Sequence, residues 1–263
     1  MTEKIFIFKN AQIAYSTNQA VVSNKPTIFC LHGFLENKFI FNFLFKDSFF
    51  LKFNIVSIDL LGHGASDSIG YVHSMEEQAL MVNELKRFLN LSKISLLGHS
   101  MGGYVALAFL ELFPESVSQI YLINSTAKAD SESKKQNRLR GIELVKKNTA
   151  LFIQLAIANL FDAETKVKNE AEIDELKQIA LTNKTQGIIA NMQGMLQRKD
   201  RQFLLKECPQ IYYISGSKDA IVLIEDAKTE VLNTRVHFNE IEGYHMLWLE
   251  KPQVIKKILK ETL

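Results

Sequence analysis

The stretch Gly98-His99-Ser100-Met101-Gly102 constrains this chain more than any other. It lies where a β-type run, Lys93-Ile94-Ser95-Leu96-Leu97, meets a helical pattern beginning near Met101. A serine at the tip of so tight a strand-to-helix turn projects its hydroxyl above a sheet, with its backbone at the positive end of a helix. Side chains have no room beside such a turn, which accounts for Gly98 and Gly102 on either side and Gly103 just after.

The surrounding pattern supplies the sheet that this turn needs. Glu3–Lys9 and Gln12–Ser16 read as an opening antiparallel hairpin. Pro26–Leu31 is a continuous apolar run of the kind buried on both faces, and Phe53–Asp59 repeats it. Between them, Lys38–Asp47 is rich in phenylalanine and reads as a helical piece packed on the sheet. Ser74 to Glu77 forms a capping box, after which Val82, Leu85, Phe88 and Leu89 mark one helix face. The helix from Met101 turns Val105, Ala108, Phe109 and Leu112 inward, and Ser116–Ile123 is the next strand. Strands alternating with helices predict a parallel, doubly covered α/β sheet.

From about Asp130 to Lys206 the alternation stops. Helices are expected at Ser131–Lys147, Ala150–Leu160, Asn169–Thr182 and Thr185–Arg198, with no strand between them. The alternation resumes with strand Gln210–Ile214, a helix over roughly Val222–Leu232, strand Arg235–Ile241 and a last helix from Pro252 to Leu263.

Four segments together resemble the α/β-hydrolase superfamily: the serine turn, His32-Gly33-Phe34, Asp59-x-x-Gly62-His63-Gly64-x-Ser66, and Gly243-x-His245 ahead of Glu250-x-Pro252. The resemblance implies a mostly parallel eight-stranded sheet with helices on both faces. It also implies a helical cap inserted after the sixth strand, so that 1–125 and 207–263 form the core and 126–206 the cap. The family order of serine, acid and histidine places a catalytic triad on Ser100, Asp219 and His245, each at the carboxyl end of an expected strand. Asp219 follows a strand directly, whereas Glu225 and Asp226 fall inside the next helix, and the position after the sixth strand reads Asn124-Ser125-Thr126 without a carboxylate. By the same resemblance the backbone N–H groups of Phe34 and Met101 form an oxyanion hole. His63 comes too early to be the base and is assigned to loop structure, and His237 lies within a strand pattern.

The implied activity is hydrolysis of a carboxylic ester or thioester through an acyl-enzyme on Ser100. Serine at the elbow, where dehalogenases and epoxide hydrolases have Asp, argues against those chemistries. Tyr104 and Met246 depart from the residues that resembling lyases and carbon–carbon bond hydrolases carry at these places. Those enzymes, perhydrolase or acyltransferase action on the same triad, and a ligand-binding protein with vestigial hydrolysis are the alternatives. Phe34, Met101, Leu155, Met192 and Met195 are the candidates for the substrate pocket, expected to take a small to medium, uncharged acyl group.

Composition narrows the partners. A net charge of +2 over 263 residues provides no nucleic-acid field. The longest apolar run, Ala150–Phe161, is too short to span a membrane and the N-terminal one too short for a signal peptide, so a cytoplasmic protein is expected. Cys30 and Cys208 read as free thiols. No Cys/His cluster has metal spacing, and neither metal nor cofactor is expected. Lys134, Lys135, Arg138, Arg140, Lys146 and Lys147 put a basic face on the cap. With Glu132 and Glu143 interleaved, it reads as a solvated helix surface rather than a dock for an acyl-carrier protein or coenzyme A.

Overall fold

The computed structural model describes residues 2–208 and 210–263. Eight strands form one sheet: β1 (Thr2–Phe8), β2 (Ala11–Thr17), β3 (Thr27–Leu31), β4 (Asn54–Ile58), β5 (Ile94–His99), β6 (Val117–Ile123), β7 (Ile211–Gly216) and β8 (His237–Ile241). Their spatial order is β1-β2-β4-β3-β5-β6-β7-β8. The β1–β2 hairpin and the β2–β4 pairing are antiparallel; every other pairing is parallel. This is the mostly parallel sheet that the sequence predicts.

Strands β3, β4 and β5 are buried along their whole length because both faces are covered. The two-residue strand period divides the core. Phe29, Leu31, Val56 and Leu96 face one apolar layer, shared with helices α1 (Met75–Phe88) and α2 (Met101–Leu112). Ile28, Cys30, Ile55 and Leu97 face the other, where Phe41, Leu44 and Phe50 meet Ile255 and Leu259 of the final helix.

Several local expectations change. The Lys38–Asp47 segment is a 3₁₀ turn, Lys38–Phe41, followed by one α-turn, Asn42–Phe45, and only Ile40, Phe41 and Leu44 supply buried apolar side chains there. Ser74 does cap α1 by accepting the Glu77 N–H at 3.0 Å, but the Glu77 carboxylate pairs with Lys9 at 2.9 Å instead of closing the box. Phe88 is 57% exposed and Leu112 41% exposed, where both were expected inside. Each sits in the last turn of its helix, and Phe88 meets only Phe6 of the edge strand, at 5.3 Å between ring centroids.

Between β6 and β7 lie helices α3 (Glu132–Lys147), α4 (Thr149–Ala158), α5 (Ala163–Lys168), α6 (Glu170–Leu181) and α7 (Thr185–Leu196). The sequence reading lacked α5; Asp162, which accepts the Thr165 N–H at 2.9 Å, is its N-cap signal. Helix α7 fixes this cap to the core. Its buried Asn191 donates to the Leu61 carbonyl at 2.8 Å and accepts from Gln78 at 2.9 Å. The backbone of Gly194 lies so near the His73 carbonyl that a Cβ would stand 1.7 Å from its oxygen. The core closes with α8 (Ile224–Val231) and α9 (Pro252–Thr262). Cys30 and Cys208 are free thiols.

Candidate active site

Ser100 occupies the turn between β5 and α2 with φ 48° and ψ −113°, a conformation that a non-glycine residue adopts only when its surroundings impose it. Three bonds impose it: Ser100 N–H donates to the Ile123 carbonyl at 2.9 Å, and the Ser100 carbonyl accepts from Gly103 N–H at 2.9 Å and Ser125 Oγ at 2.8 Å. Gly102 allows the turn to pass under β3, since a Cβ there would lie 2.0 Å from the Leu31 carbonyl oxygen. Gly102→Ala is therefore expected to cost about 3 kcal/mol or more in a urea unfolding measurement.

Residues far apart in sequence meet at this strand edge. His245 Nε2 lies 3.1 Å from Ser100 Oγ, and His245 Nδ1 lies 2.8 Å from Asp219 Oδ2. The carboxylate is acceptor-only, so Nδ1 carries the proton and Nε2 is left to accept from the serine hydroxyl. Asp219 Oδ1 also accepts the N–H groups of Ile221 at 2.7 Å and Val222 at 3.0 Å. Burial opposes ionisation of Asp219, but His245 and these N–H donors outweigh it and hold its pKa below the ordinary value. The other nearby acids stay out: Glu225 and Asp226 lie on α8 and face Lys228 and Lys128. His237 stacks on Tyr212 with centroids 4.6 Å apart, away from the serine.

The Phe34 loop follows β3, and Met101 opens α2, where the first N–H groups have no carbonyl behind them in the helix. Among the described residues, neither the Phe34 nor the Met101 N–H donates to the protein, while Gly33 and Leu35 N–H are both engaged. Leu35 N–H donates to His63 Nε2 at 3.2 Å. The Asp59–Ser66 loop holds itself through Ala65 N–H to Asp59 Oδ2 at 2.9 Å and Ser66 Oγ–H to the Asp59 carbonyl at 2.7 Å. His63 is thus structural, as the sequence reading had it.

Ser100 and His245 open onto a cavity of about 400 Å³ between the sheet edge and the cap. Of the expected pocket residues, Phe34, Met192 and Met195 line it. Met101 does not: its side chain is fully buried in the core. Leu155 does not either, being 49% exposed. On α4 the cavity face is carried by Phe152 and Ala156, one turn apart, while Leu151 and Leu155, also one turn apart, share the exposed face. The basic face needs correction as well, because Lys134 and Arg138 line the cavity. Lys135 and Lys146 are solvated pairs with Glu132 and Glu143.

A second buried constellation escaped the sequence reading. His99, the residue between Gly98 and the serine, points Nδ1 at Glu36 Oε2 (2.9 Å) and Nε2 at the backbone carbonyl of His245 (2.9 Å). Glu36 also accepts Gly33 N–H and, at 3.2 Å, Trp248 Nε1–H. Both His99 nitrogens face acceptors, so the ring is an imidazolium against a carboxylate. Burial resists charging either group, but each outweighs that cost for the other: His99 titrates above its ordinary pKa and Glu36 below. His99 sits inside the serine-turn motif and Glu36 two residues beyond His32-Gly33-Phe34, yet only their spatial pairing assigns them a role. Among the described residues, no group of three or more His, Cys, Asp or Glu is placed to hold a metal ion, and no helix is long and apolar enough to cross a membrane.

Known proteins are similar to this chain in sequence and in fold. "Serine hydrolase-like protein 2" of Homo sapiens is 23% identical over 273 aligned residues, covering 90% of this chain and 87% of that protein. A 1-acylglycerol-3-phosphate O-acyltransferase of Arabidopsis thaliana is 34% identical over 125 residues, but these are 44% of this chain and 29% of that protein. The chain spans between 30% and 49% of the length of further curated relatives. Among solved structures, a thermophilic esterase from Thermogutta terrifontis, with malate bound, superposes with a TM-score of 0.87 at 25% identity, covering 99% of this chain and 97% of that one. The family model described as alpha/beta hydrolase fold matches residues 26–252. That match runs unbroken from β3, through the serine turn and the cap, to the histidine loop, and the chain belongs to the α/β-hydrolase fold family.

Proposed function

We propose that the protein is a serine hydrolase that cleaves a carboxylic ester or thioester of a small to medium acyl group, with Ser100, His245 and Asp219 as its triad. The observation that carries this reading is the continuous hydrogen-bonded chain from Asp219 through His245 to Ser100 Oγ, opening on a cavity that Phe34, Phe152, Met192 and Met195 help to line. The esterase likeness and the serine hydrolase-like relative support it.

In this mechanism Ser100 Oγ attacks the substrate carbonyl carbon while its proton passes to His245 Nε2. Asp219 stays ionised, keeps His245 in the reactive tautomer and offsets the imidazolium that forms. The carbonyl oxygen becomes an oxyanion and takes the two unengaged N–H groups of Phe34 and Met101. Collapse breaks the ester bond, and the leaving alcohol or thiol takes the proton from His245. A water then repeats the sequence on the acyl-enzyme, releasing the acid and restoring Ser100.

The test pairs turnover with labelling. p-Nitrophenyl esters of graded acyl length should be hydrolysed well above the buffer rate, with the optimum at the length that fills the cavity. A fluorophosphonate should add once, with the mass shift on the peptide containing Ser100. No turnover of any ester together with no label on Ser100 would overturn the reading.

A further inference from the structure

The part of the cavity wall that helix α3 supplies carries an excess of positive charge. Helix α3 turns Lys134, Asn137, Arg138 and Gly141 into the cavity, a spacing that places all four on one face. Beneath them, the fully buried carboxylate of Asp130 receives two guanidinium groups, Arg138 through Nε and Arg198 through Nη1 at 2.7 Å. Arg198 is fully committed: it donates to the Lys128 carbonyl at 3.1 Å and the Met195 carbonyl at 3.2 Å, and it lies 4.1 Å over the Tyr104 ring. One carboxylate therefore serves two arginines.

Lys134 adds a third cation. Among the described residues its ammonium has no carboxylate partner, only the Ile221 carbonyl at 3.5 Å. Arg138 Nη1 likewise donates to nothing among the described residues. The other acid on the cavity wall, Glu36, is neutralised by His99. Two positive charges thus remain unmatched on the wall of a cavity that Phe34, Phe152, Leu160, Met192 and Met195 also line with apolar surface. Like charges one helical turn apart repel, and a partly enclosed apolar site screens them less than open water does. An anion between Lys134 and Arg138 relieves both costs.

We infer that the substrate carries a carboxylate in addition to the scissile ester, and that Lys134 and Arg138 bind it. This rests on the ester-hydrolase reading and replaces the uncharged acyl group that the sequence suggests with a half-ester of a dicarboxylic acid. The Lys134 ammonium and the unengaged Nη1 of Arg138 can both donate charge-assisted hydrogen bonds to a carboxylate.

The experiment compares monoethyl adipate with the same ester ending in a neutral carboxamide. Wild type should favour the acid by about tenfold to a hundredfold in kcat/KM, chiefly through KM, the worth of one or two charge-assisted hydrogen bonds. In Arg138→Gln, and in the half-exposed Lys134→Gln should the first not fold, that ratio should fall toward one. Calorimetry on Ser100→Ala, which does not turn the esters over, should show the acid-ended ester binding and the amide-ended one binding at least about tenfold more weakly. Equal kcat/KM for the two esters, a preference that survives both substitutions, or equal binding to Ser100→Ala would each overturn the inference. If neither ester is cleaved and no label reaches Ser100, the hydrolase reading falls, and the calorimetric comparison alone then decides whether the anion site exists.

Discussion

Ser100→Ala should lower ester turnover by about 10⁶-fold while leaving the protein folded. On the proposed reading the serine hydroxyl attacks, with His245 Nε2 3.1 Å away to take its proton. Residual activity of about 10³-fold over water is expected, because Phe34 and Met101 still present their N–H groups to a carbonyl oxygen when water attacks. The chain itself should tolerate the change, since the strained backbone at residue 100 is held by Ile123, Gly103 and Ser125 through main-chain atoms of Ser100, not through its hydroxyl. Burst titration of wild type with a slow ester, beside the progress curve of the variant, measures the loss. A variant within tenfold of wild type would remove Ser100 from the mechanism.

Glu36→Ala should cost about 3–5 kcal/mol of stability, the range for stripping one partner from a buried ion pair. The His99 imidazolium would be left without its carboxylate, and Gly33 N–H and Trp248 Nε1–H would lose their acceptor. Against a typical total of about 5–15 kcal/mol, that is a large share.

The pair also fixes a pH signature. Ionised Glu36, with its pKa lowered from 4.5, contributes fully above 4.5 and loses its contribution as pH falls through the lowered value. Protonated His99, with its pKa raised from 6.5, contributes fully below 6.5 and loses its contribution as pH rises through the raised value. Urea midpoints of wild type and variant should therefore differ most between pH 4.5 and 6.5 and converge on either side. A difference that does not vary with pH would mean that the pair is not ionised. Because His99 also holds the His245 carbonyl, the variant should lose activity at pH values where it is still folded.

The meeting of Ser100, Asp219 and His245 was legible through the family resemblance, because each sits in a short local pattern. Ser100 needs glycines on both sides, Asp219 follows a strand directly, and His245 lies on a loop before a helix that begins with Pro252. Strand burial was equally legible, since a parallel strand covered on both faces must be apolar throughout. Helix faces were less so. The apolar period identifies a stripe, but whether Phe88, Leu112 or Leu155 finds a neighbour depends on where the helix end lies against the sheet or cap.

Sequence alone thus determined the sheet and the elbow, both consequences of backbone geometry acting over a few residues, while the three residues that meet there were named by the resemblance. Tertiary structure alone decided the charges. Glu36 finds His99 across 63 positions, and Arg198 and Arg138 converge on Asp130. Lys134 and Arg138 read as solvent-facing cations until the cap folds over the serine and makes their helix face the wall of its cavity. Coulomb interactions depend on distance through space and on what solvent is excluded, and neither quantity is written in a local stretch of chain.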